Sequence, residues 1–207
     1  MKGLFLKDYF NLIRNSKLLF TTLIFYGIFA ITMNSPSFVI GIIIFVFSMM
    51  VLTSFSYDDL AKWNIYAMTM PISRSSFILE KYCLSLALVL FGSLSSILIT
   101  FITCMVRSLS IKPEWFLTAF VVSEIALIFI SIMIPLIYKF GTEKSRIMLI
   151  LIMAVPFMLA FVLFKANIPM PSDNFIKGLM FASPVITLAS LFLSYNISIS
   201  IFSKKDL

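Results

Sequence analysis

The stretch YCLSLALVLFGSLSSILITFITCMV, residues 82–106, carries no charged side chain from end to end. As a helix it would rise roughly 37 Å, more than the hydrocarbon core of a bilayer, about 30 Å thick. Five further apolar stretches accompany it, at 18–34, 37–53, 115–137, 147–164 and 179–202. A spanning helix takes about 17–25 residues, and all six stretches fit if the shortest use their flanks. The expected fold is therefore an all-α membrane protein with six transmembrane helices. Composition agrees. Of 207 residues, 61% are hydrophobic and 12% charged, against roughly 45–50% and 25% in soluble domains. The mean hydropathy of +1.08 excludes a soluble globular enzyme, and the length allows a single membrane domain over 1–207.

The net charge of +7 is explained by where the charges fall. With six spans both termini lie on one side. That side holds Lys2, Lys7, Arg14, Lys17, Lys62, Arg74, Lys81, Lys139, Lys144, Arg146, Lys204 and Lys205. The other side holds only Arg107, Lys112, Lys165 and Lys177. Lys and Arg collect on the cytoplasmic face, so a multi-pass protein of the cell membrane with both termini in the cytoplasm is expected. The basic balance then points to no nucleic-acid partner.

The first 17 residues read as an interfacial helix, with no cleaved signal peptide. Phe5, Leu6, Tyr9, Phe10, Leu12 and Ile13 fall on one side of the wheel. Lys7, Asp8, Asn11, Arg14 and Asn15 fall on the other. A helix of this kind lies in the headgroup plane of the bilayer. Between the first two long stretches, Asn34-Ser35-Pro36-Ser37 reads as a helix stop and restart.

Catalytic chemistry has little to work with. The chain contains no histidine, which removes Ser-His-Asp and Cys-His systems and most protein zinc sites. Cys83 and Cys104 are 21 residues apart on one predicted helix, roughly 32 Å, whereas a disulfide needs Cα atoms within about 7 Å. Asp58 and Asp59 diverge by about 100° on a helix and cannot form an aspartic dyad. No Gly-x-x-x-x-Gly-Lys-Ser/Thr run exists. Any ATP and magnesium would therefore sit on another chain, with no cofactor bound by this one.

The segment SFSYDDLAKWNIYAMTMPISRSSFILEK, residues 54–81, is the one long polar connection on the basic side. The pattern predicts a helix from Tyr57 to about Met70. Leu60, Trp63, Tyr66, Ala67 and Met70 share an arc of roughly 120°, while Asp58, Lys62 and Thr69 lie opposite. Asp59 falls within the apolar arc near the helix start, where it favours the helix dipole. Pro71 ends the helix, and Ser73 is the expected N-cap of the next. Two compatible readings fit. The helix lies flat on the leaflet, or it docks a cytosolic partner through the aromatic and Arg residues that usually anchor interfaces.

The pattern Asp58-Asp59, Trp63, Tyr66, Met70-Pro71-Ile72-Ser73-Arg74 and Lys81-Tyr82 resembles bacterial ABC transporter permeases of the type-two exporter class. The resemblance implies six spans, an interfacial N-terminal helix and a coupling helix between spans two and three. It implies an exporter permease driven by a separate cytosolic ATP-binding subunit. Tyr57, Asp58, Asp59, Lys62, Trp63, Tyr66, Pro71 and Arg74 would be the coupling residues. Trp63 and Tyr66 would be the anchors. Six spans are few for a full pathway, so two copies are expected to pair as a homodimer. The closest systems in kind are small exporters of amphipathic peptides, of the phenol-soluble modulin type. The chain departs from larger members in its short connection between spans five and six, where Pro169, Pro171 and Pro184 allow only a small hairpin dip.

Glu124 lies near the middle of the fourth span. A charge at such depth costs at least about 2.5–3.5 kcal/mol and normally faces a bundle interior or a wet cavity. Ser131 and Pro135 share its face. Either a pathway carboxylate or a structural group hydrogen-bonded between helices fits. In span three, Ser85, Gly92, Ser96 and Thr103 form a narrow stripe, with Thr100 nearby. In span six, Ser183, Thr187, Ser190, Ser194 and Ser198 form a wider one. Small hydroxylated residues let helices approach closely, and they could equally line a weakly polar transport surface. Span five has no Ser, Thr or charge over 147–164, so it should face lipid most fully. A secondary transporter or channel without an ATPase is the main alternative, but it would often show repeats and broken midplane helices. An intramembrane protease lacks paired catalytic groups.

Overall fold

The structure, a computed structural model, describes residues 2–14, 16–32, 36–69, 73–108, 110, 112–166 and 173–204. Among these the chain forms eight helices and no strand. They are α1 (Lys2–Arg14), α2 (Ser16–Thr32), α3 (Pro36–Leu60), α4 (Trp63–Met68), α5 (Arg74–Arg107), α6 (Glu114–Phe140), α7 (Thr142–Lys165) and α8 (Asp173–Ser203). In lipid only a helix or a closed barrel satisfies every backbone N–H and C=O, so long apolar runs resolve into helices.

Four of these helices are long and apolar enough to cross a membrane: α3, α5, α6 and the Gly178–Ser203 part of α8. A fifth span appears if α1 and α2, bent by 58° at their junction, are counted together. The expected number was six. The shortfall at α2 is one of length, because its 17 residues rise only about 26 Å. The 24-residue α7 is not among the four. The Asn34-Ser35 turn, Met70, Pro71, Ile72, Pro169, Pro171 and Lys205 lie outside the described residues.

α3 is the central helix. Its most apolar window is 61% buried, against 33% for α5 and 22% for α8. Val39, Ile40, Ile43, Ile44, Phe47, Met50 and Val51 are all buried, at the three- and four-residue spacing of one helical face. α5 packs on one side of α3 and α6 on another, and α8 packs against α6. α7, which covers the 147–164 stretch, exposes Ile147, Ile150, Leu151, Val155, Met158, Phe161 and Phe164. Pro156 and Pro184 both sit inside helices, so Pro184 belongs to no hairpin dip. Gly141 joins α6 to α7 at φ 80°, a conformation L side chains rarely adopt.

Gly92 marks the closest approach of α5 to α3. A Cβ there would lie 2.9 Å from Phe47 Cβ and 3.4 Å from Ile44 Cα. Gly92→Ala is therefore expected to cost about 1–3 kcal/mol through overpacking, with Gly92→Leu costing more. Thermal unfolding of the purified variants checks this. Unchanged stability of both would show that the helices can part without loss.

Two sequence expectations change here. The helix expected from Tyr57 to Met70 is not continuous. α3 runs on to Leu60, the chain breaks at Ala61 and Lys62, and α4 occupies only six residues. Lys62 makes the break in the left-handed region, at φ 49°, which costs a non-glycine residue about 1–2 kcal/mol. The polar side of α1 is also not uniformly water-facing, with Arg14 exposed but Lys7 and Asn11 half-buried. Asp8 is fully buried, as is Leu4, while Leu6, Tyr9 and Phe10 are exposed. Ser73 caps α5 as expected, its hydroxyl accepting from the Ser76 N–H at 3.2 Å.

Candidate functional site

The break between α3 and α4 sits on a buried lattice of charges. Lys81, near the start of α5, is fully buried. Its ammonium lies 2.7 Å from Asp8 Oδ2 on α1, 2.6 Å from Asp58 Oδ2 on α3 and 2.7 Å from Ser54 Oγ. The ammonium donates hydrogen bonds to Asp8 and Ser54, and it pairs with Asp58 by charge. Lys7 closes the lattice from α1. It bonds the other oxygen of Asp58 and stands 3.0 Å from Asp8 Oδ1. Ser54 and Asp58 reach the site together because they lie one turn apart on α3. Glu80 is also fully buried.

Lys7 ties the lattice to α4, with its Nζ 4.8 Å from the centre of the Trp63 ring. Trp63 is half-buried, and its ring centre lies 5.4 Å from that of Tyr66. Asp59 points elsewhere. Its Oδ2 accepts from the Thr142 backbone N–H at 3.1 Å, capping the first turn of α7. Arg74 donates to the carbonyls of Phe202 and Ser203, at 3.3 and 2.7 Å, at the end of α8. The elbow is thus bonded to α1, α5 and α7 at once, and the start of α5 is tied to the end of α8. Beside the exposed Asp59 and Lys62 the elbow leaves three large apolar or aromatic groups in the open: Leu60 at 81%, Ile65 at 54% and Tyr66 at 55%.

The residues singled out from the 54–81 segment therefore divide. Asp58, Asp59, Trp63 and Arg74 have partners within the chain. Tyr66 and Lys62 are exposed, and Tyr57 is half-buried on the last turn of α3. Asp58 faces inward, away from the surface where a partner would meet it, because Lys81 and Lys7 hold it there. Pro71 lies outside the described residues. Sequence reasoning missed Lys7, Asp8, Ser54, Glu80 and Lys81 as one site, and Leu60 and Ile65 as outward groups. The one available signal was an acidic residue, Asp8, in an otherwise lipid-seeking helix.

The serine and threonine stripes are packed. Ser85, Ser96 and Thr103 are buried, and their hydroxyls donate to carbonyls of their own helix, Lys81, Ser93 and Ile99. They share the face on which Gly92 meets α3. On α8, Ser194 and Ser198 hydrogen-bond the Tyr82 hydroxyl at 2.6 and 2.9 Å. Ser194 also bonds the Ser131 carbonyl. These groups join α5, α6 and α8 to one another.

Glu124 is different. It is 8% exposed, and its hydrogen-bond partner among the described residues is Thr187 Oγ1, at 3.4 Å. It lines a half-open groove of about 340 Å³ between α5 and α6, with Leu86, Leu90, Ser93, Phe116 and Phe120 among the walls.

Apolar helices long enough to cross a bilayer, arranged around a central helix that emerges into a charge-braced elbow, define a multi-pass membrane protein. The chain belongs to the ABC-2 family transporter proteins, whose family model matches residues 3–203. It is thus a membrane permease component of an ABC transporter, a kind of assembly that includes an ATP-binding partner. No curated protein matched the sequence, and no solved structure matched it.

Proposed function

We propose that the chain is the permease of an ATP-driven exporter, moving a hydrophobic or amphipathic substrate, such as a peptide, outward. In this reading α2, α3, α5, α6, α7 and α8 are six spans, α1 lies at the interface, and both termini are cytoplasmic. The α3–α4 elbow docks a cytosolic ATP-binding subunit, which carries the ATP and magnesium. Two copies pair to complete the pathway. The observation that carries this is the elbow itself. Leu60 at the end of α3 and Ile65 and Tyr66 on α4 stay exposed, next to the buried ion pairs of Asp58 and the Lys7 contact to Trp63. Exposed apolar and aromatic side chains on a braced element are what a partner's groove requires.

The decisive experiment co-expresses the chain with candidate ATP-binding subunits from the same genome and asks for co-purification and ATP-dependent export from inverted vesicles. Failure of the pair to assemble would defeat the proposal. Orientation is tested with single cysteines in a background lacking Cys83 and Cys104. Ser108 and Lys144 are both exposed and serve as reporters, whereas Ser145 is fully buried and would not. An impermeant thiol reagent should label Ser108→Cys on intact cells and spare Lys144→Cys. The opposite pattern would invert the topology.

A further inference from the structure

The groove between α5 and α6 is a cavity with a buried carboxylate in its wall. At about 340 Å³ it falls within the range of small-ligand sites, about 300–1,000 Å³. Its lining is otherwise apolar apart from Ser93 and Ser123. Glu124 has one long hydrogen bond, to Thr187, and none of the ion pairs among the described residues includes it. A carboxylate so placed is held at a cost in free energy, with no counter-ion among the described residues.

The approach to it is built on one face of α6. Phe116, Phe120 and Glu124 follow each other at four-residue intervals, so they stack along the same side of the helix. Both phenylalanines line the groove and are about half exposed, at 53% and 49%. Aromatic faces attract cations, and a carboxylate in a low-dielectric wall attracts them more strongly still. Ser93, on the facing helix, adds a hydroxyl to the lining. An anion would meet repulsion here, and a neutral chain would leave Glu124 unpaired.

We propose that the α5–α6 groove is a binding subsite for the cationic group of an amphiphilic substrate, with Glu124 as its counter-ion and Phe116 and Phe120 as its flanking walls. This rests on the permease reading above and adds the charge class of what is carried. The cation comes from the substrate, not from bilayer lipid. Glu124 lies ten residues from the start of α6 at Glu114, roughly 15 Å along the helix. The ammonium of a phospholipid stays at headgroup level, so it does not reach that depth. A single-chain or peptidic amphiphile entering the groove does.

The test uses the full chain in neutral phosphatidylcholine nanodiscs, without nucleotide. A dodecylammonium probe bearing a photoreactive diazirine is crosslinked at increasing concentration, and the labelled residues are mapped. Competitors are unlabelled dodecylammonium, dodecanol and dodecanoate, which share a chain and differ in charge. Saturable labelling on α5 and α6 is expected, displaced by dodecylammonium and not by the other two at the same concentration. Glu124→Gln should weaken half-saturation roughly tenfold or more, the usual range for a lost charge-assisted hydrogen bond. Leu90→Trp fills the groove at its exposed rim without touching the carboxylate. It should abolish the saturable component, and it serves if Glu124→Gln yields no folded protein. Equal displacement by dodecanol, or saturable labelling unchanged in either variant, would overturn the proposal. So would labelling confined to headgroup-level residues, which would assign the amine site to lipid depth. Assembly and ATP-dependent export are measured separately. A chain that exports but shows no Glu124-dependent labelling therefore loses only this inference.

Discussion

Lys81→Met is expected to lower the thermal stability of the chain by roughly 6–20 °C and to cut its folded yield. The side chain that replaces lysine is similar in length, so the change is one of charge. It leaves the Asp8 and Asp58 carboxylates, both buried, to share the single ammonium of Lys7. Removing one partner of a buried ionic group typically costs about 3–5 kcal/mol. For a chain of this size each kcal/mol shifts the midpoint by about 2–4 °C. Lys7→Met should cost less, because the Lys7 side chain is 18% exposed and water screens part of its charge. The double variant Lys81→Met with Asp58→Asn should recover part of the loss, since it removes a charge from each side. Differential scanning fluorimetry in detergent checks the order. Equal stability of parent and Lys81→Met, or a larger effect at Lys7, would show that the lattice does not brace the elbow.

The second large effect is expected at the elbow's outer face, and here two aromatic residues should separate. Tyr66 is exposed, and its contact within the chain is the ring of Trp63. Truncating an aromatic hot spot costs about 2 kcal/mol or more, which is roughly a 30-fold loss of affinity. Tyr66→Ala should thus weaken assembly with the ATP-binding subunit by about that factor and leave the melting temperature of the isolated chain unchanged. Trp63→Ala should reduce both, because it also removes the aromatic face over which Lys7 sits. Affinity measured by pull-down titration, beside thermal melts of each variant alone, reads the two effects separately. If Tyr66→Ala assembles normally, the exposed face of α4 meets lipid and not a partner.

Much of the α3–α5 region was legible in residues alone. The uncharged run at 82–106 lies within α5, Ser73 caps that helix, and Gly92 falls on its packed face. The divergence of Asp58 and Asp59 also follows from helical geometry. One points to Lys81 and the other to the N–H of Thr142. The endpoint of each lay beyond reach, because their partners are 23 and 83 residues away in the chain. The same limit explains Asp8. On a helical wheel it joins Lys7 and Arg14 on a polar side, and only the position of Lys81, 73 residues later, turns that side inward. The helix break at Lys62 was hidden for another reason. A lysine is an ordinary helix former, and nothing local marks it for a left-handed conformation.

Hydropathy and periodicity by themselves determined that this chain is a helical membrane protein and where most of its helices run. They also placed a lone carboxylate deep in the fourth apolar stretch. These properties depend on neighbours within a few turns, and transfer from water and backbone hydrogen bonding are local requirements. Tertiary structure alone decided which polar groups became structural. It sent Asp58 into an ion lattice and the serines of α8 against Tyr82 and Ser131, leaving Glu124 beside a half-open groove with one long hydrogen bond among the described residues. Those outcomes are set by which helices touch. In an apolar chain every face is equally fit to meet lipid, so the charges show which faces must meet one another only when the helices are packed together.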